Sequence, residues 1–157
     1  FHGCDIVYRH ILNKQDLQYY LDYFASHKRE FKKYDIIYIA CHGWHHAISL
    51  EGEDGHIDLC ELKTMANGFF ENRIIHFGSC KTLANPDEAK RFKEDCGARL
   101  VSGYEISVDA MTSAIADAAF FNEIMTYQNI GIFKNEANSI FRKRYESLHK
   151  DLKFRVY

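Results

Sequence analysis

Two short stretches of sequence decide the fold: Ile36–Gly43, which reads IIYIACHG, and Ile74–Cys80, which reads IIHFGSC. Each begins with a run of apolar, β-branched and aromatic residues, which is typical of a buried strand in a parallel sheet. The first stretch ends in His42-Gly43 and the second ends in Gly78-Ser79-Cys80. If the two strands are neighbours, their carboxyl ends bring His42 and Cys80 side by side, where open α/β sheets hold their sites. A cysteine beside a histidine is a candidate nucleophile with its base.

The composition favours one globular domain in a reducing environment. The chain has 157 residues and a formal net charge of -2, so it lacks the overall positive field that attracts nucleic acid. No signal peptide and no membrane-spanning apolar run is present, so we expect no membrane partner. The cysteines are widely spaced without a CxxC pair, which favours the cytoplasm: Cys4, Cys41, Cys60, Cys80 and Cys96.

The sequence begins at Phe1 and runs directly into a strand-like segment. We therefore expect a single domain over residues 1–157 that is part of a longer chain or lacks an N-terminal strand.

The other segments alternate between strand and helix patterns. Asn85-Pro86 and Glu88 form a strong helix start, because Asn caps, Pro suits the first turn and Glu completes a capping box. The alternation predicts right-handed βαβ units and an α/β fold, with a mainly parallel central sheet and helices on both faces. The predicted strands are residues 5–11, 35–41, 48–50, 56–59, 73–77, 99–103 and 154–156, with a loop at 44–46. The predicted helices begin near residues 13, 62, 85 and 109, and a last helix runs over about 136–152.

The Cys/His pair suits acyl transfer. The Cys80 thiolate would attack a carbonyl carbon, and His42 would protonate the leaving amine. Gly43 has no side chain, so its backbone N–H, together with that of Cys80, would form an oxyanion hole.

The order of the two residues makes the pattern more specific. The histidine precedes the cysteine, here by 38 residues. Caspases have the same order, with the histidine roughly 50 residues upstream, whereas papain-like enzymes have the opposite order. The run from Tyr34 to about Ile124 resembles a CHAT domain, a caspase-like family. The segments that carry the resemblance are Ala40–Gly43, the hairpin Leu50–Gly55 with Leu59–Met65, Gly78–Thr82, Gly103–Asp109 and Phe120-Phe121.

This resemblance implies a caspase-like three-layer sandwich and a cysteine endopeptidase that needs no cofactor. It implies a protein or peptide substrate and an activating sensor protein or domain, as in bacterial defence systems.

The resemblance also implies a substrate pocket near Val108-Asp109. Asp109 would bind a basic P1 residue, although Ile106 stands where relatives carry Trp, and Ala110 replaces a second acidic residue. The alternative role of Asp109 is to cap the following Ala-rich helix. Further pocket candidates are Ser79, Tyr104 and Glu105.

Other functions remain open on the sequence alone. The domain could be an inactive caspase-like module that binds a partner protein. A zinc site at His42, His45, His46 and His56 is disfavoured, because no carboxylate or cysteine lies at ligand spacing. We expect His76 and Cys41 to belong to the core.

Overall fold

A four-stranded, mostly parallel sheet forms the centre of the protein. The structure, a computed structural model, describes residues 4–52, 55–126 and 143–157. The sheet has the order β1-β5-β6-β7, and a second sheet has the order β2-β3-β4. The strands are β1 Ile36–Ile39, β2 His42–Trp44, β3 Ala47–Ser49, β4 Ile57–Asp58, β5 Ile74–Phe77, β6 Leu100–Tyr104 and β7 Phe154–Val156. The helices are α1 Lys14–Ser26, α2 Lys28–Phe31, α3 Leu59–Ala66, α4 Pro86–Cys96, α5 Ala110–Ile124 and α6 Glu146–Leu152.

The two strands that opened the sequence analysis are parallel neighbours, as predicted. Ile36 pairs with Ile74 and Ile39 pairs with Phe77, an offset of 38 residues. The ladder extends one residue further, because the Gly78 N–H donates to the Ile39 carbonyl over 3.0 Å. β1 lies at the edge of this sheet and its residues are half-buried or exposed, whereas all of β5 is buried, so the prediction of a buried strand is right for β5 and wrong for β1. His42 follows β1, and Cys80 follows β5.

Helices cover both faces of the central sheet. Strand alternation sends Ile74 to one face and Ile75 to the other. Ile75 packs in a cluster with residues of α1, α3 and α4, whereas Ile74 packs with residues of α5 and α6. The mixed α/β architecture and the two helical layers agree with the prediction.

The predicted helix starts near residues 13, 85 and 109 are confirmed by their caps, whereas α3 begins at Leu59, before the predicted start near residue 62. The Asn85 side chain accepts hydrogen bonds from the N–H groups of Asp87 and Glu88, at 3.0 and 3.4 Å. The Asn13 side chain likewise accepts from the Asp16 N–H at the start of α1. Gly97 ends α4 in the left-handed conformation, with φ 62°, which a glycine adopts without strain.

Residues 5–11 do not form the predicted strand. The segment has no regular secondary structure, and Ile6 and Tyr8 are each 76% exposed. Val7 and Ile11 pack against the core. The apolar side chains thus contribute to the core although the backbone forms no strand. β propensity alone does not create a strand when no neighbouring strand pairs with the segment.

The predicted loop at residues 44–46 is also corrected. Trp44 belongs to β2 and pairs with Ala47 across a two-residue turn at His45-His46, in which His46 has a φ of 59°. The predicted hairpin of residues 48–50 and 56–59 is present as β3 and β4, although its turn includes residues outside the described ranges. Of the last predicted helix, the described part contains α6, and residues 136–142 lie outside the described residues.

β7 completes the sheet as an antiparallel edge strand. Tyr104 on β6 pairs with Phe154, which is fully buried.

Within the described ranges, no helix combines the length and the apolar character needed to cross a membrane.

Candidate active site

Cys80 lies just beyond the carboxyl end of β5, as the sequence predicts. Its side chain is half-buried, and its sulfur faces the residue that precedes the cap of α5. The Val108 N–H donates to Cys80 Sγ over 3.3 Å, and the thiol donates back to the Val108 carbonyl over 3.7 Å. Lys81 follows with a φ of 58°, so the chain turns sharply directly after the sulfur.

Gly43 lies against the backbone of Cys80. A Cβ atom at Gly43 would be 2.0 Å from the Cys80 carbonyl oxygen and 2.8 Å from the Cys80 nitrogen. Any side chain at this position would therefore collide with backbone atoms, and moving them would require a shift of the chain. The close approach brings the start of β2, and with it His42, to the end of β5.

His42 is the first residue of β2 and is exposed. Its separation from Cys80 equals the register offset of β1 and β5, so the two residues occupy corresponding positions beyond the strand ends. Among the described residues, no hydrogen bond joins His42 to Cys80. The structure thus brings the two chain segments together without a preassembled dyad.

Ser79 and Thr82 brace the loop that carries Cys80. Their hydroxyl groups are 2.7 Å apart, and the Thr82 hydroxyl donates to the Ala47 carbonyl over 3.3 Å. Ser79 is 1% exposed, so its side chain is out of reach of a substrate in this conformation. Its position supports the loop rather than the predicted pocket.

Cys41 lies beside the candidate site but packs against the core, as predicted. Burial raises the pKa of its thiol to about 11. A thiol that resists ionisation is a poor nucleophile. Its burial therefore makes Cys41 a poor candidate for the nucleophile.

Asp109 caps α5. Its Oδ1 accepts from the Thr112 N–H at 2.9 Å, from the Thr112 hydroxyl at 2.9 Å and from the Met111 N–H at 3.1 Å. The Thr112 N–H is the main cause that lowers the pKa of this carboxyl group, with the Thr112 hydroxyl next. The side chain is exposed, and its Oδ2 accepts no hydrogen bond from the described residues. Oδ1 thus caps the helix, while Oδ2 remains available to accept a hydrogen bond.

The two remaining pocket candidates are held by other contacts. Tyr104 has no exposed surface, and its hydroxyl donates to the Ser113 carbonyl and to Asp117. Glu105 is half-buried and accepts from Arg155 over 2.8 Å. Tyr104 therefore does not line an open pocket, because its ring lies under α5.

A buried polar network, not recognised in the sequence, lies on the α5 side of the sheet. Its centre is Asp117, which is 5% exposed. Asp117 Oδ1 lies 2.7 Å from His76 Nε2 and also accepts from the Tyr104 hydroxyl, while Oδ2 accepts from the Tyr38 hydroxyl over 2.7 Å. His76 Nδ1 lies 2.8 Å from the Ser102 hydroxyl. His76 is core, as predicted, and the one sequence signal for the network is an aspartate within an Ala-rich helix.

Asp117 remains ionisable despite its burial. Burial alone would raise the pKa of the carboxyl group, but the hydrogen bond and charge of His76 and the hydroxyl donors Tyr104 and Tyr38 outweigh it. The net effect lowers the pKa below its usual value. The same carboxylate contributes to raising the pKa of Tyr38 and Tyr104, for which burial is the main cause.

Trp44 presents an aromatic surface next to His42. It is 52% exposed, its ring stacks on His56 at 5.3 Å between centroids, and the Lys81 ammonium lies 5.9 Å from its centroid.

His46 Nδ1 accepts from the Asn85 N–H over 3.1 Å, so this histidine joins the hairpin to α4. In the part of the chain that the structure describes, no group of three histidines, cysteines or carboxylates is arranged to hold a metal ion.

Comparison with known proteins places the chain in a family. The family model that matches residues 2–157 is described as a family of unknown function, DUF6642, and the chain belongs to that family. No curated protein and no solved structure matches the chain.

Proposed function

We propose that the protein is a caspase-like cysteine endopeptidase that uses Cys80 as the nucleophile and His42 as its acid–base partner. The observation that carries the proposal is the β1–β5 register. Its 38-residue offset equals the separation of His42 and Cys80, and Gly43 contacts the Cys80 backbone. The mostly parallel sheet with helices on both faces is compatible with a caspase-like three-layer sandwich.

The reaction would follow ordinary acyl transfer. The Cys80 thiol gives its proton to His42, and the resulting thiolate attacks the scissile carbonyl carbon. The N–H groups of Gly43 and Cys80 hold the oxyanion of the tetrahedral intermediate. His42 protonates the leaving amine, and water then hydrolyses the thioester at Cys80. These steps require no cofactor.

Activation would consist of pairing His42 with Cys80. In this structure the sulfur is hydrogen-bonded to Val108 instead of His42. The exposed β2 could move when a sensor protein or domain binds. We therefore propose an enzyme with a low basal activity that the sensor raises, which would fit a bacterial defence effector in the cytoplasm, where its five unpaired cysteines stay reduced.

Asp109 would select a basic P1 side chain. Its Oδ1 is committed to the α5 cap, whereas the exposed Oδ2 can accept from an arginine or lysine. Asp109→Asn tests this role separately, because asparagine also caps helices well. We expect this variant to keep its thermal stability and to lose the preference for basic P1 residues in a peptide-library cleavage profile.

Labelling with peptidyl acyloxymethyl ketones tests the proposed enzyme. Probes with arginine or lysine at P1 should modify wild type, and Cys80→Ala should remain unmodified while keeping its circular dichroism spectrum. Cys60→Ala is the matched control, because Cys60 is exposed and lies on α3. Labelling that persists in Cys80→Ala would contradict the assignment.

The alternative function is an inactive caspase-like module that binds a partner protein. The observation that favours it is the missing hydrogen bond between His42 and Cys80, with the sulfur occupied by Val108. Absence of labelling by probes with several P1 residues, together with tight binding of a partner, would support this alternative.

A further inference from the structure

One buried carboxylate joins α5 to three strands of the central sheet. Asp117 accepts from Tyr38 on β1, is bonded to His76 on β5 and accepts from Tyr104 on β6. β1 and β5 are the strands that lead to His42 and Cys80. Hydrogen bonds to an ionised group are stronger than those between neutral groups, so these contacts hold the helix firmly on the sheet.

The same helix determines what Cys80 contacts. Asp109 caps α5, and Val108 immediately before it holds the Cys80 sulfur. Ala110, the first residue of α5, and Asp117 are separated by about two helical turns, roughly 10 Å at 1.5 Å per residue, and Val108 precedes Ala110 by two residues. A helix moves nearly as a rigid body over such a distance, so we expect a shift at Asp117 to reach the start of α5 and the adjoining Val108.

Tyr38 makes a second connection to the candidate nucleophile. Its ring lies on Gly78, where a Cβ atom would be 2.6 Å from the ring. Gly78 directly follows β5 and precedes Cys80 by two residues. The ring of Tyr38 supports the strand end, and its hydroxyl reaches Asp117.

The bonded Ser102, His76 and Asp117 are not a second catalytic site. Their connectivity is that of a serine–histidine–aspartate triad, but Ser102 and His76 are each 0% exposed. No substrate carbonyl can reach the Ser102 hydroxyl. What the network can do is hold α5 in place.

We propose that Asp117 and Tyr38 are positioning residues for Cys80: they hold α5 on the sheet and thereby set the place of Val108 against the sulfur. This inference rests on the proposed function as far as catalysis is concerned, whereas the coupling of Tyr38 to Val108 is independent of it. The residues act through Val108 and Gly78 and do not touch substrate.

Tyr38→Phe tests the proposal, because it removes one hydroxyl and keeps the ring on Gly78. Tyr23→Phe is the control, since it removes the same group from a half-buried tyrosine whose hydroxyl makes no hydrogen bond with the described residues. Because the Val108 contact keeps the sulfur from pairing with His42, labelling kinetics with an arginine acyloxymethyl ketone should show a maximal inactivation rate raised about tenfold in Tyr38→Phe, with an unchanged probe affinity. The control should match wild type in both constants.

Amide hydrogen exchange measured by NMR supplies a readout that does not need activity. We expect the Val108 amide to exchange about tenfold faster in Tyr38→Phe than in wild type, with the amides of α4 unchanged. Unchanged Val108 exchange would overturn the inference, even if the protein proved to be no protease. Lack of any labelling in wild type, with faster Val108 exchange in the variant, would instead count against the proposed function alone.

Discussion

His42 begins β2 in the three-stranded sheet, His76 lies on β5 in the central sheet, and their surroundings are opposite. Both ring nitrogens of His76 lie within hydrogen-bond distance of partners, Ser102 and Asp117, and no part of the residue is exposed. His42 is exposed, and no hydrogen bond connects it with Cys80 within the described residues. The fully bonded Ser102, His76 and Asp117 offer no access to a substrate, whereas the accessible His42 makes no such contact with Cys80.

The difference follows from the cost of burying polar groups. A buried imidazole or carboxylate without a partner is strongly destabilising, so the residues around Asp117 are fully bonded. A site that must bind a substrate keeps its polar groups accessible and leaves some of them unpaired. A serine–histidine–aspartate arrangement is therefore weak support for catalysis unless a substrate can reach the serine hydroxyl.

Removal of the central carboxylate should give the largest effect on stability. Asp117→Ala leaves His76, Tyr38 and Tyr104 without their shared partner, and we expect a loss of about 3–5 kcal/mol in the free energy of unfolding. Urea denaturation followed by circular dichroism measures it. Asp22→Ala, at an exposed position of α1, should change stability by less than about 0.5 kcal/mol. Similar losses in the two variants would refute the central role of Asp117.

A methyl group at the contact between the two candidate segments should have the next largest effect. Gly43→Ala places a Cβ atom 2.0 Å from the Cys80 carbonyl oxygen, so the segments must separate. We expect a cost of about 1–3 kcal/mol and loss of Cys80 labelling. Gly68→Ala is the control, because nothing lies within 4 Å of a Cβ atom there, although a φ of 77° strains an alanine. It should lose some stability and keep its labelling; loss of labelling in both variants would contradict the special role of Gly43.

Removal of the Ser102 hydroxyl should have a modest effect on stability. Ser102→Ala deletes one hydrogen bond to His76, which corresponds to about 1 kcal/mol. Because Ser102 has no access to substrate, labelling of Cys80 should proceed at the wild-type rate. If Ser102→Ala abolished labelling or cleavage, the buried network would have to be reassigned as the active site.

Titration of Asp117 should have no effect near neutral pH and should appear only in acid. The pKa of its carboxyl group is lower in the folded protein than the usual 3.8. Its contribution to stability is therefore complete above about pH 5 and is lost as the pH falls through the folded-state pKa. Unfolding measured at pH 5 and pH 3 should show a larger loss of stability in wild type than in Asp117→Asn. An equal loss in both proteins would contradict this assignment.

The parts of the fold predictable from sequence were those with strong local signals. The apolar runs of β1 and β5 and the caps at Asn13 and Asn85 each depend on a few adjacent residues. Residues 5–11 have equally suitable side chains, but strand formation requires a pairing partner that local sequence does not reveal.

The candidate site was predictable in part for the same reason. His42, Gly43 and Cys80 follow predictable strands, so their proximity could be expected from topology. The Asp117 network could not, because its donors Tyr38, His76 and Tyr104 come from three strands that are distant in sequence. The resemblance places Tyr104 near a substrate pocket, whereas tertiary packing buries it under α5.

The most direct test of the central claim compares labelling of Cys80 in wild type and in His42→Ala. Both proteins are treated with an arginine acyloxymethyl ketone, and modification is measured by mass spectrometry of the Cys80 peptide, with the exposed Cys60 as internal reference. If His42 is the acid–base partner, its removal should slow Cys80 labelling by about 100-fold or more and leave Cys60 unaffected. Equal rates of Cys80 labelling in the two proteins, or wild-type labelling no faster at Cys80 than at Cys60, would contradict a His42–Cys80 protease site.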